Sequence, residues 1–146
     1  MDSYLRSKKL EVLAKSVETT AKQVRILAVD DNEDNLLLLS EVLKVFNCSL
    51  ITATHGQTAL RLTQEYNPDL ILLDVMLPDL NGVEVVRHLK QNPATKNIPV
   101  IAITALARDE DRASLLAAGC NDYISKPYMI EDLEAIVTCH LSSRCD

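Results

Sequence analysis

The chain has 146 residues, of which 47% are hydrophobic and 25% are charged, a composition typical of a globular domain with a hydrophobic core. Its net charge of −6 argues against a broad surface that binds the phosphate backbone of nucleic acids. No apolar run approaches the roughly 20 residues that span a bilayer, and the N-terminus lacks the apolar core of a signal peptide. We therefore expect a cytoplasmic protein that binds neither nucleic acid nor membrane.

The first 24 residues differ from the rest of the chain in charge and in pattern. They carry five basic and three acidic residues, whereas the remainder carries ten basic and eighteen acidic residues. Their apolar residues recur at steps of three and four and predict an amphipathic helix: Leu10, Leu13, Val17, Ala21 and Val24. This segment is either a linker or a helix that packs on a partner or on a second copy. We divide the chain into this segment (residues 1–24), a folded domain (residues 25–141) and a C-terminal tail (residues 142–146).

Five short apolar runs within the folded domain predict five β-strands. Four of the runs are rich in Ile, Leu and Val at consecutive positions, which is typical of strands buried on both faces of a parallel sheet. The predicted strands are residues 26–29, 50–53, 70–73, 100–103 and 123–124.

Segments with apolar residues at helical spacing follow the five strands. The predicted helices are residues 35–46, 56–66, 83–90, 108–118 and 130–141. In the fourth helix, the spacing predicts that Ala113, Leu116 and Ala117 face the core and that Gly119 ends the helix. The alternation of strand and helix, repeated five times with short connections, predicts an α/β fold with a doubly wound parallel sheet.

Polar residues with related chemistry follow four of the predicted strands. They are Asp30 and Asp31 after the first strand, Asp74 after the third, Thr104 after the fourth and Lys126 after the fifth. Ligands of doubly wound sheets bind beyond the carboxyl ends of the strands, so we expect these side chains to form one site. Asp30 and Asp31 alone could be caps of the following helix, but their register with Asp74 and Lys126 favours a binding site.

This set of residue types is suited to phosphoryl transfer onto a carboxylate. Three neighbouring carboxylates need a counter-charge, and Mg²⁺ binds hard oxygen ligands and completes its shell with water and phosphate. Asp74 would be the nucleophile, and Lys126 and Mg²⁺ would stabilise the charge of the phosphoryl group. Thr104 offers a hydroxyl donor, and the small Ala105 leaves room for an anion. The four cysteines form no CxxC pair and match no common zinc site.

Four segments, in this order, resemble the receiver domain of response regulators in two-component signalling, the CheY-like family. They are VDDN at 29–32, LLDVMLPDLNG at 72–82, ITALA at 103–107 and GCNDYISKP at 119–127. The resemblance extends from Arg25 to about Leu141. It implies a flavodoxin-like, five-stranded parallel sheet with strand order 2-1-3-4-5 and five helices, to which the N-terminal helix would be an addition.

The resemblance also implies a role for each site residue. Asp74 would be the phosphoacceptor, and Mg²⁺ would be held by Asp74, by Asp30 and Asp31, and by the main-chain carbonyl of Met76. Lys126 would contact the phosphoryl group.

Further positions follow from the same resemblance. Lys126 would be joined to Pro127 by a cis peptide bond. Thr104 and Tyr123 would be the switch pair, in which the hydroxyl moves toward the phosphoryl group and the ring rotates inward. Three side chains would flank the phosphoryl group: Met76, Ala105 and Leu106.

The implied function is a phosphorylation-dependent signalling switch and not a conventional enzyme. The domain would accept a phosphoryl group from a histidine kinase or a histidine phosphotransfer protein and would catalyse only its own phosphorylation and dephosphorylation. It would contact a downstream protein through the face formed by the fourth helix, fifth strand and fifth helix, with homodimerisation as an option. Five charged residues could form ion pairs between subunits there: Arg108, Asp111, Arg112, Glu131 and Asp132.

Two other classes of protein are alternatives. A phosphatase or hydrolase with an aspartyl-phosphate intermediate would use a similar fold, but such enzymes typically carry a DxD motif and a cap domain, whereas Asp30 and Asp31 are adjacent. A flavodoxin-like binding module would need a phosphate-binding loop of Gly, Ser and Thr after the first strand, where this acidic pair would repel the ligand.

Overall fold

The computed structural model describes residues 23–105 and 108–142. Nearly all of the predicted N-terminal helix, Leu106 and nearly all of the predicted tail therefore lie outside the described residues. Five parallel strands form one sheet: β1 (Arg25–Val29), β2 (Ser49–Ala53), β3 (Leu70–Asp74), β4 (Val100–Thr104) and β5 (Asp122–Ser125). Their order is β2-β1-β3-β4-β5, which confirms the predicted flavodoxin-like topology.

Five helices connect and follow the strands. They are α1 (Glu33–Leu43), α2 (Gly56–Tyr66), α3 (Gly82–Gln91), α4 (Asp109–Ala118) and α5 (Ile130–Leu141), and a 3₁₀ turn (Lys44–Phe46) extends α1. Helix α1 begins two residues before its predicted start. The reason is a cap, because the side-chain oxygen of Asn32 accepts hydrogen bonds from the backbone N–H groups of Asp34 (2.8 Å) and Asn35 (3.3 Å).

The inner strands are buried on both faces, and alternate residues belong to two separate cores. Leu27 and Leu73 pack in the core beneath α2, α3 and α4, whereas Ile26 and Leu72 pack in the core beneath α1 and α5. The prediction of burial on both faces is wrong for β2, where Ser49 and Thr52 are exposed. Strand β2 pairs only with β1 and lies at the edge of the sheet, which explains this exposure.

The prediction that Ala113, Leu116 and Ala117 of α4 face the core is wrong, because the residue that does so is Leu115. Leu115 is 1% exposed and lies in the core, whereas Leu116 is 52% exposed, and Ala113 and Ala117 are also exposed. Adjacent leucines in a helix otherwise rich in alanine and charge leave the periodicity ambiguous, and the packing of α4 on α3 and the sheet selects Leu115. The predicted helix end is correct, since Gly119 has the left-handed conformation (φ 108°) that favours glycine.

Candidate functional site

Three carboxylates meet at the carboxyl edge of the sheet. Asp30 and Asp31 follow the last residue of β1, and Asp74 is the last residue of the neighbouring strand β3. One oxygen atom from each carboxylate lies within 4.8 Å of the other two. Asp30 and Asp74 are buried, with 3% and 7% of their surface exposed, whereas Asp31 is exposed. The cluster therefore has an inner side of fixed charges and an outer side that is open to solvent.

The Asp30 carboxylate is oriented by three hydrogen bonds. Its Oδ1 accepts the backbone N–H of Asn32 at 2.9 Å. Its Oδ2 accepts the amide of Asn35 at 3.2 Å and the ammonium of Lys126 at 3.2 Å. Asn35, in the first turn of α1, was not predicted as a site residue.

Lys126 links the buried carboxylates to each other. Its Nζ lies 3.1 Å from Oδ2 of Asp74 and 3.2 Å from Oδ2 of Asp30. Burial lowers the pKa of Lys126, but the hydrogen bonds and charges of Asp74 and Asp30 outweigh this effect and raise it above its ordinary value. Lys126 thus remains charged at neutral pH.

The phosphoacceptor candidate lies in an environment that disfavours its own charge. Burial raises the pKa of Asp74, and this effect exceeds the lowering by the backbone N–H of Met76 and by Lys126. The Met76 N–H donates to Oδ1 of Asp74 at 3.0 Å, so each of the two carboxylate oxygens has one donor. This side chain is consequently held in place while its charge is only partly neutralised.

Thr104 and Tyr123 lie on adjacent strands and on the same face of the sheet. Tyr123 is opposite Ala102 in the β4–β5 register, and Thr104 is two residues further along β4, so both side chains project to the side of α2, α3 and α4. Thr104 is fully buried, and its main-chain oxygen accepts the N–H of Lys126 at 2.8 Å. The Tyr123 ring is half-buried and lies 5.0 Å from the guanidinium carbon of Arg112.

An open groove borders the site on the side of α1 and α5. Its volume is about 590 Å³. Asp74 and Lys126 line its polar end, and apolar residues including Leu38, Ala105 and Ile130 line the rest. The Lys126–Pro127 peptide bond, which contributes to this wall, is cis.

Residues 75–81 form a loop between β3 and α3, here called the β3–α3 loop. Its base is closed by a hydrogen bond from the Gly82 N–H to the Val75 carbonyl (2.8 Å) and by a bridge between Met76 and Asn81. A Cβ atom at position 82 would lie 2.5 Å from the Cα of Val75, so this close approach requires glycine. The Met76 side chain is 58% exposed.

Asp79, in this loop, has a role that the sequence analysis did not identify. Its carboxylate accepts hydrogen bonds from the backbone N–H groups of Gly56, Gln57 and Leu80. These bonds, above all that from Gln57, lower the pKa of Asp79. The available signal was His55 before α2, at a position where Ser, Thr, Asp or Asn is the usual cap.

Among the charged residues that were predicted to pair between subunits, Arg108 and Asp111 form an ion pair with each other within the chain. Arg108 lies 3.3 Å from Glu110 and 3.3 Å from Asp111. Glu131 and Asp132 are exposed in the first turn of α5. Among the described residues, no helix has the length and apolar character that a membrane span needs.

Comparisons with known proteins agree with this fold and arrangement. The family described as "Response regulator receiver domain" matches residues 26–138. The polar-differentiation response regulator DivK of Brucella anthropi is 39% identical over 105 residues, which are 72% of this chain and 85% of the relative. The chain therefore belongs to the response regulator receiver domain family, whose members are phosphorylation-dependent signalling switches rather than conventional enzymes.

Solved structures show the same similarity. The receiver domain of the sensor histidine kinase PA1611 from Pseudomonas aeruginosa, a structure with a magnesium ion coordinated in its active site cleft, is 30% identical with a TM-score of 0.76. The match covers 83% of this chain and 99% of that chain. The chemotaxis response regulator CheY4 of Vibrio cholerae is 27% identical with a TM-score of 0.77, covering 82% and 100%. None of these relatives supports the phosphatase or hydrolase alternative.

Proposed function

We propose that this receiver domain accepts a phosphoryl group on Asp74 from the phosphohistidine of a histidine kinase or a histidine phosphotransfer protein, with Mg²⁺ as cofactor. The observation that carries the proposal is the cluster of three carboxylates whose oxygens lie within 4.8 Å of one another, with Lys126 in contact with two of them. One ammonium group leaves negative charge uncompensated, and a divalent cation supplies the remainder.

The residues present fit a hard divalent cation. Asp30, Asp31 and Asp74 offer carboxylate oxygens, and the main-chain carbonyl of Met76 would add a fourth oxygen ligand. The exposure of Asp31 leaves the outer side open for water and for the incoming phosphate, as Mg²⁺ prefers. When bound, Mg²⁺ would neutralise charge that develops on the phosphoryl oxygens.

Four side chains of the domain would carry out the other parts of the reaction. An oxygen of Asp74 attacks phosphorus as the bond to the histidine nitrogen breaks. Lys126 stabilises the negative charge of the phosphoryl oxygens and is the second counter-charge beside Mg²⁺. Thr104 donates its hydroxyl to a phosphoryl oxygen, and Tyr123 turns into the space on the same face of the sheet. Water reverses the modification by attack on the same phosphorus, which breaks the bond to Asp74, releases inorganic phosphate and restores the carboxylate. The domain thus catalyses its own phosphorylation and dephosphorylation.

We further propose that the phosphorylated domain contacts a downstream protein in the cytoplasm through the face of α4, β5 and α5. Exposed side chains on or beside α4 and α5 support this, an apolar one at Leu116 and charged ones at Arg108 and Glu131. A second copy of the chain is an alternative occupant of this face. Nucleic acid and membrane are not proposed as partners, in line with the acidic net charge.

Mass spectrometry tests the proposal directly. The protein is incubated with acetyl phosphate or phosphoramidate, with Mg²⁺ or with excess chelator, and the intact mass is measured. We expect the gain of one phosphoryl group with Mg²⁺ only, and peptide mapping after borohydride reduction should place it at Asp74. Modification at another residue would contradict the proposal, and steady turnover of small phosphate esters would favour the hydrolase alternative.

Met76 is expected to lengthen the life of the phosphorylated state. Its side chain is apolar and 58% exposed beside the phosphoacceptor, where it would hinder an attacking water molecule. Asparagine there can hydrogen-bond that water, so Met76→Asn should shorten the phosphoryl lifetime about tenfold, equivalent to about 1.4 kcal/mol in the barrier. Adding Leu106→Glu should shorten it further.

The lifetime is measured as loss of phosphorylated mass after removal of the phosphodonor. Val45→Asn is the matched control, since it replaces another exposed apolar side chain, 67% exposed, after the C-terminus of α1. An unchanged or longer lifetime in Met76→Asn would show that Met76 does not hinder hydrolysis.

A further inference from the structure

We propose that Asp79 is a positioning residue for the metal site: it anchors the β3–α3 loop to the N-terminus of α2 and thereby holds the Met76 carbonyl toward the acidic cluster. This inference rests on the proposed function, because it concerns the same Mg²⁺ site. It adds Asp79, which is not one of the clustered carboxylates and would act on the metal site through the backbone of the β3–α3 loop.

Asp79 caps the N-terminus of α2. Its Oδ1 accepts the N–H of Gly56 at 2.7 Å, and its Oδ2 accepts the N–H of Gln57 at 3.0 Å. These N–H groups belong to the first turn of α2, where the helix has no internal acceptors for them. Among the described residues, the side chain of His55, at the N-cap of this helix, makes no capping hydrogen bond. The loop therefore supplies the cap of a helix that is more than twenty residues away in sequence.

The β3–α3 loop lies in close contact with α2, and α2 itself is firmly held. A Cβ atom at Gly56 would lie 2.8 Å from the Cβ of Leu80 and 3.0 Å from Val85, so α2 presses directly on the loop. Helix α2 is itself fixed on the sheet through Ala59 and Thr63, which are 2% and 1% exposed. Asp79 thus connects the loop to an element that has little freedom to move.

The β3–α3 loop connects Asp79 to the metal site. The loop and Asp31 line one groove of about 510 Å³, whose wall includes Met76 and Asp79. The base of the loop is fixed at Val75 and Gly82. Leu77 and Leu80 pack on the core, and Asp79 adds the hydrogen bonds that attach the tip of the loop to α2. Loss of this attachment would let the Met76 carbonyl move away from Asp31 without any change in the carboxylates.

The main test compares Asp79→Asn with a control at the other end of the sheet. Asp69 is the matched residue, because its carboxylate also accepts a backbone N–H, that of Arg25 at 2.8 Å, before the first residue of β3. Mg²⁺ affinity is measured by titration calorimetry, and hydrogen exchange is followed in residues 76–80. We expect about tenfold weaker Mg²⁺ binding in Asp79→Asn, the size typical of residues that orient metal ligands, and unchanged affinity in Asp69→Asn.

The remaining outcomes separate this inference from a purely structural cap. If Asp79→Asn lowers stability and leaves Mg²⁺ affinity and loop exchange unchanged, Asp79 only caps α2 and the inference is wrong. If wild type itself binds no Mg²⁺, the proposed function fails instead. Should Asp79→Asn not fold, Gln57→Pro removes one donor in the first helical turn, where proline is tolerated. This variant should weaken Mg²⁺ binding about threefold, a part of the effect of the whole anchor, and unchanged affinity would overturn the inference.

Discussion

Asparagine in place of Asp74 is expected to abolish phosphoryl acceptance and, at the same time, to stabilise the protein in the absence of Mg²⁺. The first effect follows from chemistry, because a neutral amide is not a nucleophile toward phosphorus and the mass gain should vanish. The second follows from electrostatics. Asp74 is 7% exposed and shares a single ammonium, that of Lys126, with Asp30. Removal of one charge relieves the repulsion between the two carboxylates.

The stabilisation has a defined pH dependence. Burial raises the pKa of Asp74 in the folded state, so the folded protein binds this proton more tightly than the unfolded chain does. Wild-type stability therefore falls as pH rises from the ordinary carboxyl pKa to the higher folded-state pKa. Asp74→Asn lacks this loss, so the two proteins should be similar below about pH 4. At neutral pH we therefore expect the variant to be more stable than wild type.

Urea unfolding at pH 4 and pH 7, with chelator present, measures this difference. Glu65→Gln is a suitable control, since it removes one negative charge from an exposed side chain near the end of α2. It should neither stabilise the protein nor reduce phosphorylation. If Asp74→Asn were less stable than wild type at neutral pH, the carboxylate would be a net stabilising group and the electrostatic account of the site would be wrong.

The sequence allowed the parallel sheet and the acidic site to be predicted because both depend on strong local signals, whereas the strand order followed from the resemblance to receiver domains. Consecutive branched apolar residues mark inner strands, and polar residues directly after them must meet at the carboxyl edge of a parallel sheet. Asp30, Asp74 and Lys126 come together for this reason. The strands also extend one residue further than their apolar runs, through Asp74 and Thr104, because these residues continue the backbone pairing.

Other features depend on contacts that no local pattern encodes. The choice of Leu115 over Leu116 as the core residue of α4 is made by packing on α3 and the sheet. The contact between Arg112 and Tyr123 joins a helix and a strand whose relative placement is tertiary. The cap that Asp79 gives to α2 spans two loops. The meeting of residues at the carboxyl ends of parallel strands can be predicted from the sequence, whereas contacts that depend on how helices and loops pack on one another cannot.

Methionine in place of Lys126 is expected to slow phosphorylation about a hundredfold, as for the loss of a group that stabilises transition-state charge. It should also destabilise the Mg²⁺-free protein. Asp30 and Asp74 would lose their shared counter-charge and remain buried. Breaking a fully buried ion pair costs about 3–5 kcal/mol. A quarter of the Lys126 side chain is exposed, so we expect a smaller loss of about 2 kcal/mol.

The Lys126→Met variant also shows whether Lys126 acts through its charge or through packing of its side chain. If Lys126 acts through its charge, Mg²⁺ should replace it, so Mg²⁺ should stabilise Lys126→Met more than wild type and bind it more tightly. Adding Asp74→Asn should restore stability without Mg²⁺, because only Asp30 would then remain charged at the inner side. Lys44→Met, which removes an exposed lysine paired with Glu41 at 2.8 Å, should cost about 0.5 kcal/mol or less and respond to neither change. Equal losses in Lys126→Met with and without Mg²⁺ would instead identify Lys126 as a packing residue, because a cation can replace its charge but not its methylene chain.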